Sequence, residues 1–248
     1  MQLGFYISGV AGSKIEQQFN ILSNDIANAT TTGYRADRTS FSTYFSHKLG
    51  LASGPEQLPA AYLNSGRQYV DMTPAGYRMT GNPLDIALHG NAYLRVRQAN
   101  GSEAYTRAGD LQLDASGNLL TADGKPILDD SGQPITLPPG TPSISADGSI
   151  SIHGHGVGRL GIAAITDPKL VSKMGGTLLV TPASNVTTAS ENIRVVQGSL
   201  EDSNVNPVLA MTEMMGALRD YQSMLKVLNQ YDKQMTTLSQ QVGRVTNN

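Results

Sequence analysis

Strong helical periodicity is confined to the two ends of this chain, and everything between them reads as short strands and turns. The helical patterns cover Gln2–Asn28 and Val205–Val245. In a seven-residue frame Met211, Leu218, Leu225, Asp232 and Ser239 fall at one core position, and Met214, Tyr221, Leu228, Met235 and Val242 at the other. Eight of these ten are apolar, the a/d pattern of a coiled-coil seam held over more than four heptads. Pro207 suits a first helical turn, and Asn204 or Asn206 suits the cap before it. About 38 residues would span roughly 57 Å at 1.5 Å per residue.

The N-terminal helix is weaker. Ile15, Phe19, Leu22 and Ile26 recur on one face, but Gly4, Gly9 and Gly12 each cost about 1 kcal/mol against alanine. The β-branched threonines and Gly33 in Asn28-Ala-Thr-Thr-Thr-Gly-Tyr-Arg end it. Near that end lie Asn24, Asp25 and Asn28, which either satisfy the helix end and solvent or hydrogen-bond neighbouring chains and fix their register.

A hairpin of the two helices within one chain is the plain reading. It leaves apolar surface over, because Ala210, Ala217, Met224, Tyr231 and Leu238 widen the C-terminal stripe on one flank. Five of the nine methionines lie in Met211–Met235, and methionine suits surfaces that fit more than one neighbour. Two helices cannot bury a stripe that wide, which implies that other chains supply the rest.

The middle is β. Leu94 and Val96, Leu111 and Leu113, Ile135 and Leu137, Ile150 and Ile152, and Leu160 and Ile162 alternate with polar neighbours. Ser116-Gly117, Asp123-Gly124, Ser131-Gly132 and Asp147-Gly148 supply turns, so an antiparallel sandwich or barrel is expected. Thr39–Arg67 reads as an extended linker, and Lys169–Asn192 as loop apart from Leu178-Leu179-Val180.

Chemistry-bearing patterns are sparse. A net charge of −2 without a basic run leaves no electrostatic footprint for nucleic acid. There are no cysteines, and no stretch approaches a membrane span. The N-terminus lacks the basic and apolar regions of a cleaved secretory signal. His153 and His155 flank Gly154 without further ligands at useful spacing, which reads as a hairpin tip. Asp114, Asp123, Asp130 and Asp147 recur near glycines, but their spacing fits neither an EF-hand nor a nonapeptide calcium repeat. His47 and His89 lack a partnered nucleophile, so no catalytic, cofactor or metal residue is expected.

Three motifs then carry a resemblance. Ser23-Asn-Asp-Ile-Ala-Asn-Ala-Thr-Thr-Thr-Gly-Tyr-Arg35 resembles the N-terminal signature of bacterial flagellar rod and hook proteins. Gln197-Gly-Ser-Leu-Glu-Asp-Ser-Asn-Val-Asn206 before a Met-rich helix is similar to that family's C-terminal block. Between them Gly81-Asn-Pro-Leu-Asp-Ile-Ala-Leu88 and Ala104-Tyr-Thr-Arg-Ala-Gly-Asp110, with Met72-Thr-Pro-Ala-Gly and Gly117-Asn-Leu-Leu, are most like the proximal-rod members. The resemblance implies a structural subunit without enzymatic activity, exported by the flagellar type III apparatus without a cleaved signal. It implies assembly in the periplasm into the rod of the basal body, with itself and other rod subunits as partners, and no insertion into a membrane. A distal-rod or hook subunit, a secreted oligomeric adhesin and a cell-wall hydrolase are the alternatives.

The expected fold is α+β, with long terminal helices paired as a coiled coil and an inserted antiparallel β domain. The expected divisions are 1–34 with 205–248 for assembly, 35–70 as connection and 71–204 as β domain. The expected assembly residues are Ile15, Phe19, Leu22, Asn24, Asp25, Ile26 and Asn28 on the first helix. On the second they are Met211, Met214, Leu218, Tyr221, Leu225, Leu228, Met235 and Val242.

Overall fold

The computed structural model describes residues 2–40, 67–188 and 193–245. The expected linker Thr39–Arg67 therefore lies almost wholly outside the described residues. Helix α1 spans Gln2–Ala27 and α2 spans Pro207–Val245. The chain divides into two compact units, one of residues 1–26, 39–68 and 207–248 and one of residues 27–38 and 69–206. The first is the helical unit and the second the β unit.

The helices do not form the expected coiled coil. Knobs at a and d are buried in such a seam, yet Met211 is 51% exposed, Leu218 and Tyr221 42%, and Leu225 39%. Among the described residues, the positions α2 buries are Ala210 and Ala217, which lie on the flank of the heptad pattern. The two helices meet where Met224 covers Gly12, and a Cβ there would stand 2.8 Å from Met224 Cε. The physical reason is that small residues make the approach: Ala210 and Ala217 are what α2 buries among its described side chains, while the large apolar residues at the a and d positions stay open. Heptad spacing showed that α2 is apolar along one side, but not what covers that side.

Strands β1 (Asp37–Ser40) and β2 (Arg67–Val70) pair as a ribbon. There follow β3 (Tyr77–Met79), β4 (Ile86–His89), β5 (Tyr93–Arg97), β6 (Glu103–Thr106), β7 (Leu111–Leu113) and β8 (Leu119–Thr121). Then come β9 (Pro142–Ile144), β10 (Ser149–Ile152), β11 (His155–Arg159), β12 (Ile162–Ile165), β13 (Ser172–Gly175) and β14 (Leu178–Val180). The last three are β15 (Val186–Thr188), β16 (Arg194–Gln197) and β17 (Ser199–Glu201). A six-stranded antiparallel sheet has the order β13-β14-β6-β5-β12-β15, and β11-β10-β9 forms a three-stranded one. The pairs β16–β4, β17–β3 and β7–β8 complete the unit.

The large sheet is covered on both faces because neighbouring strand residues point opposite ways. Leu94, Val96, Ala104 and Ile162 join the main core, while Tyr93, Tyr105, Ala163 and Ile165 join a second cluster with Val171 and Leu179. Lys169–Asn192, expected to be loop, instead supplies both edges of this sheet, β13 and β15. Edge strands are short and polar on their open side, so their pattern looks like loop. Residues 189–192 lie outside the described set.

Turn chemistry accounts for two of the four recurring acids, Asp114 and Asp147, and for Asp129 beside a third. Asp114 Oδ1 accepts from the amides of Ser116 and Asn118, Asp129 Oδ1 from that of Gln133, and Asp147 Oδ1 from that of Ser149. His153 and Gly154 sit at the tip of the β10–β11 hairpin with φ of 53° and 79°, the pair of left-handed residues a two-residue turn requires.

One acid is placed at a cost. Asp110 bridges Asp85 across two chain segments, and its buried Oδ1 has no hydrogen-bond partner. Burial, with the charge of Asp85 behind it, raises its pKa. A raised folded value favours folding at low pH, and that contribution disappears as pH climbs through it. Asp110→Asn is therefore expected to raise the unfolding midpoint near about pH 7 and to change little near about pH 3. A lower midpoint at neutral pH would contradict this account.

The candidate assembly surface and the junction of the chain ends

In the helical unit Ile15, Glu16 and Phe19 of α1 and Ala217, Leu218 and Tyr221 of α2 line a groove of roughly 340 Å³. Four expected assembly residues, Ile15, Phe19, Leu218 and Tyr221, are thus brought together. Others divide by exposure. Met211 and Leu225 are exposed, as is Asn24, while Ile26, Met214 and Leu228 are half-buried. Leu22 and Asp25 are buried, which removes them from the accessible surface. Asn28 is bonded locally, since its Oδ1 accepts from Thr31 Oγ1 at 3.2 Å and its carbonyl from Thr31 N at 3.1 Å. The side chains of Met235 and Val242 lie outside the described set. Val208, Leu209, Met215 and Val227 are also exposed and were not anticipated. A heptad frame hides them, because it assigns these positions to the polar side.

A second constellation lies in the β unit, and sequence reasoning missed it. Arg35 Nη2 donates to Glu201 Oε1 at 2.6 Å and Arg107 Nη1 to Glu201 Oε2 at 3.0 Å. The side chains are 1%, 2% and 0% exposed for Arg35, Arg107 and Glu201. Ala75 N adds a third bond to Glu201 Oε1 at 3.0 Å. Arg107 also donates to the carbonyls of Leu88 and Gly90, and its guanidinium stacks 4.7 Å above the Tyr93 ring. Arg35 closes the N-terminal motif, Arg107 sits in the central one and Glu201 in the C-terminal one. The motifs that are far apart in sequence therefore converge on one buried carboxylate.

Around it the entering and leaving chains are tied together. Gly33 N donates to Glu201 O at 2.8 Å and Asn204 N to Tyr34 O at 3.3 Å. Asn204 Oδ1 accepts from Ala36 N at 2.7 Å, while its Nδ2 donates to the carbonyls of Asp71 and Thr73. Asn204 was expected as a possible helix cap; these bonds give it a different role. Lys173 Nζ pairs with Asp37 Oδ2 at 2.9 Å and lies 3.8 Å above the Tyr34 ring.

Neither place looks built for acid–base chemistry. The Glu201 carboxylate is fully paired and closed to solvent. A shallow depression of roughly 280 Å³ near Arg95, Glu103, Tyr105 and Asp130 is polar, but Arg95 is committed to Glu103 through two bonds of 3.2 and 2.7 Å. Among the described residues no three metal-ligating side chains converge, and no helix is long and apolar enough to cross a membrane.

Comparison with known proteins gives this arrangement a family. Residues 87–152 match the model of the flagellar hook protein FlgE/F/G D1 domain, and residues 196–241 that of the flagellar basal body rod FlgEFG protein C-terminal region. Flagellar basal-body rod protein FlgF of Escherichia coli is 32% identical over 94% of this chain and 95% of its own length. FlgF of Mesorhizobium japonicum is 30% identical over 93% of each. Flagellar basal-body rod protein FlgG of Bacillus subtilis is 29% identical over 91% of this chain and 94% of its own length. Each of these matches covers more than nine tenths of the chain, and with such relatives this chain belongs to the FlgF-type flagellar basal-body rod proteins.

Proposed function

We propose that this chain is a structural subunit of the flagellar basal-body rod that enters the assembly through the uncovered apolar face of α2 and the groove it shares with α1. The observation that carries the reading is that exposed face, with Val208, Met211, Met215, Leu218 and Leu225 along one side of a 39-residue helix. Exposed apolar surface on this scale marks an interaction site. Its partners are copies of itself and other rod and hook subunits, at the proximal end of the rod. The role is non-enzymatic. The chain reaches the periplasm through the flagellar export apparatus. Residues 1–34 with 205–248 serve assembly, 35–70 connect and 71–204 form the β domain. Within the expected set, Ile15, Phe19, Met211, Leu218, Tyr221 and Leu225 make the contacts, and Asn24 adds a polar one.

Leu218→Lys tests this. Because Leu218 is exposed, the change is expected to move β-unit stability by no more than about 0.5 kcal/mol. Burying an unpaired ammonium in an interface is costly, so the variant should be largely missing from purified basal bodies and should not restore motility. Normal incorporation would remove the α2 face from the assembly surface.

A further inference from the structure

We propose that Asn204, with Glu201 beside it, is a positioning residue for rod assembly. It ties the two chain ends into one clasp, so that both helices of a subunit depart from a single fixed point. The inference rests on the rod-subunit reading and goes beyond it, because these residues lie in the β unit and not on the helical surface.

The argument is one of tethers. Helix α1 ends at Ala27, a short turn before Gly33, and α2 starts at Pro207, just after Asn204. The bonds Gly33 N to Glu201 O and Asn204 N to Tyr34 O hold the two strands of chain within hydrogen-bond distance. The Asn204 side chain adds a third segment, since it bonds Ala36 N on one side and the Asp71 and Thr73 carbonyls on the other. One side chain thus joins the way in, the way out and the return from residues 41–66. Short tethers from a common anchor raise the effective concentration of one binding element once the other is engaged, and long or loose ones lower it. A clasp of this kind multiplies the avidity of two modest helical surfaces without adding a contact of its own. The segments it joins are 168 positions apart in the chain, so no local sequence pattern reveals it.

Asn185 provides a matched control in the same unit. Its Oδ1 accepts from Asp167 N at 2.7 Å and its Nδ2 donates to Asp167 O at 2.9 Å and Thr181 Oγ1 at 2.7 Å. It has the same number of side-chain bonds as Asn204 but ties no chain end. Full-length wild type, Asn204→Ala and Asn185→Ala would each replace the natural chain in cells. Incorporation into purified basal bodies would be measured at equal soluble levels, together with unfolding of each purified protein.

Asn204→Ala is expected to reduce incorporation roughly fivefold or more below Asn185→Ala at similar stability. Equal incorporation by the two variants, or wild-type incorporation by Asn204→Ala, overturns the clasp. Absence of the unaltered chain from basal bodies overturns the rod reading and this inference with it. If alanine at 204 prevents folding, Asn204→Asp keeps the acceptor for Ala36 N and loses both donor bonds. It should fall between wild type and alanine, and wild-type incorporation by it overturns the clasp in the same way.

Discussion

Glu201→Ala is expected to destabilise the β unit by about 3–5 kcal/mol. The carboxylate is buried between Arg35 and Arg107, and both guanidiniums lose their counter-charge when it goes. Arg35 is the more exposed to this loss in energetic terms, because its Nε and Nη1 already have no partner. Arg107 keeps the Leu88 and Gly90 carbonyls and the Tyr93 ring, which soften but do not replace the ion pair. The reverse removal is milder. Arg35→Met takes away a charge whose hydrogen bonds are incomplete and leaves Glu201 paired with Arg107, so it should cost less than half as much. Equilibrium denaturation in urea, with the midpoint and slope read separately, measures both. If the two variants lose the same amount, or if Glu201→Ala loses less than about 1 kcal/mol, the buried carboxylate is not the centre of this junction.

How much of this was legible in the chain depends on the range of the interaction. The helices were, because periodicity is local: Pro207 opens α2, and the threonines before Gly33 close α1. So were the hairpins, since Asp147-Gly148 and His153-Gly154 carry their own turn chemistry. The coiled coil was not a sound deduction, because a heptad stripe records which side of α2 is apolar and not which partner covers it. Met211 and Leu218 fit the seam by spacing and stand exposed in the structure. The edge strand β15 was missed because a half-solvated edge such as Val186-Thr-Thr188 looks like loop. The junction was the furthest from view. Arg35, Arg107 and Glu201 are ordinary surface residue types, and only the fold brings positions 166 and 94 residues apart onto one carboxylate. The motifs that carried the resemblance pointed to family membership, and their shared physical reason became visible only when they met.

Gly33→Ala is the second large effect, and it separates two ways a glycine can matter. Gly33 has φ of 66°, a left-handed conformation that costs other residues about 1–2 kcal/mol. It also lies against the backbone of Arg107 and Ala108, so a methyl group there would overlap main-chain atoms that cannot rotate away. Overpacking of that kind adds about 1–3 kcal/mol, which puts the expected total at roughly 2–5 kcal/mol. Gly124 isolates the first contribution, because its φ is 73° and nothing stands within 4 Å of a Cβ built on it. Gly124→Ala should therefore lose only the conformational part. The difference between the two midpoints in one denaturation series measures the close approach of the entering chain to the Arg107 segment. Equal losses would mean that the entering chain is not pressed against that segment. A larger loss at Gly33 would mean that the signature glycine is set by the contact which also brings Arg35 and Arg107 to the same carboxylate.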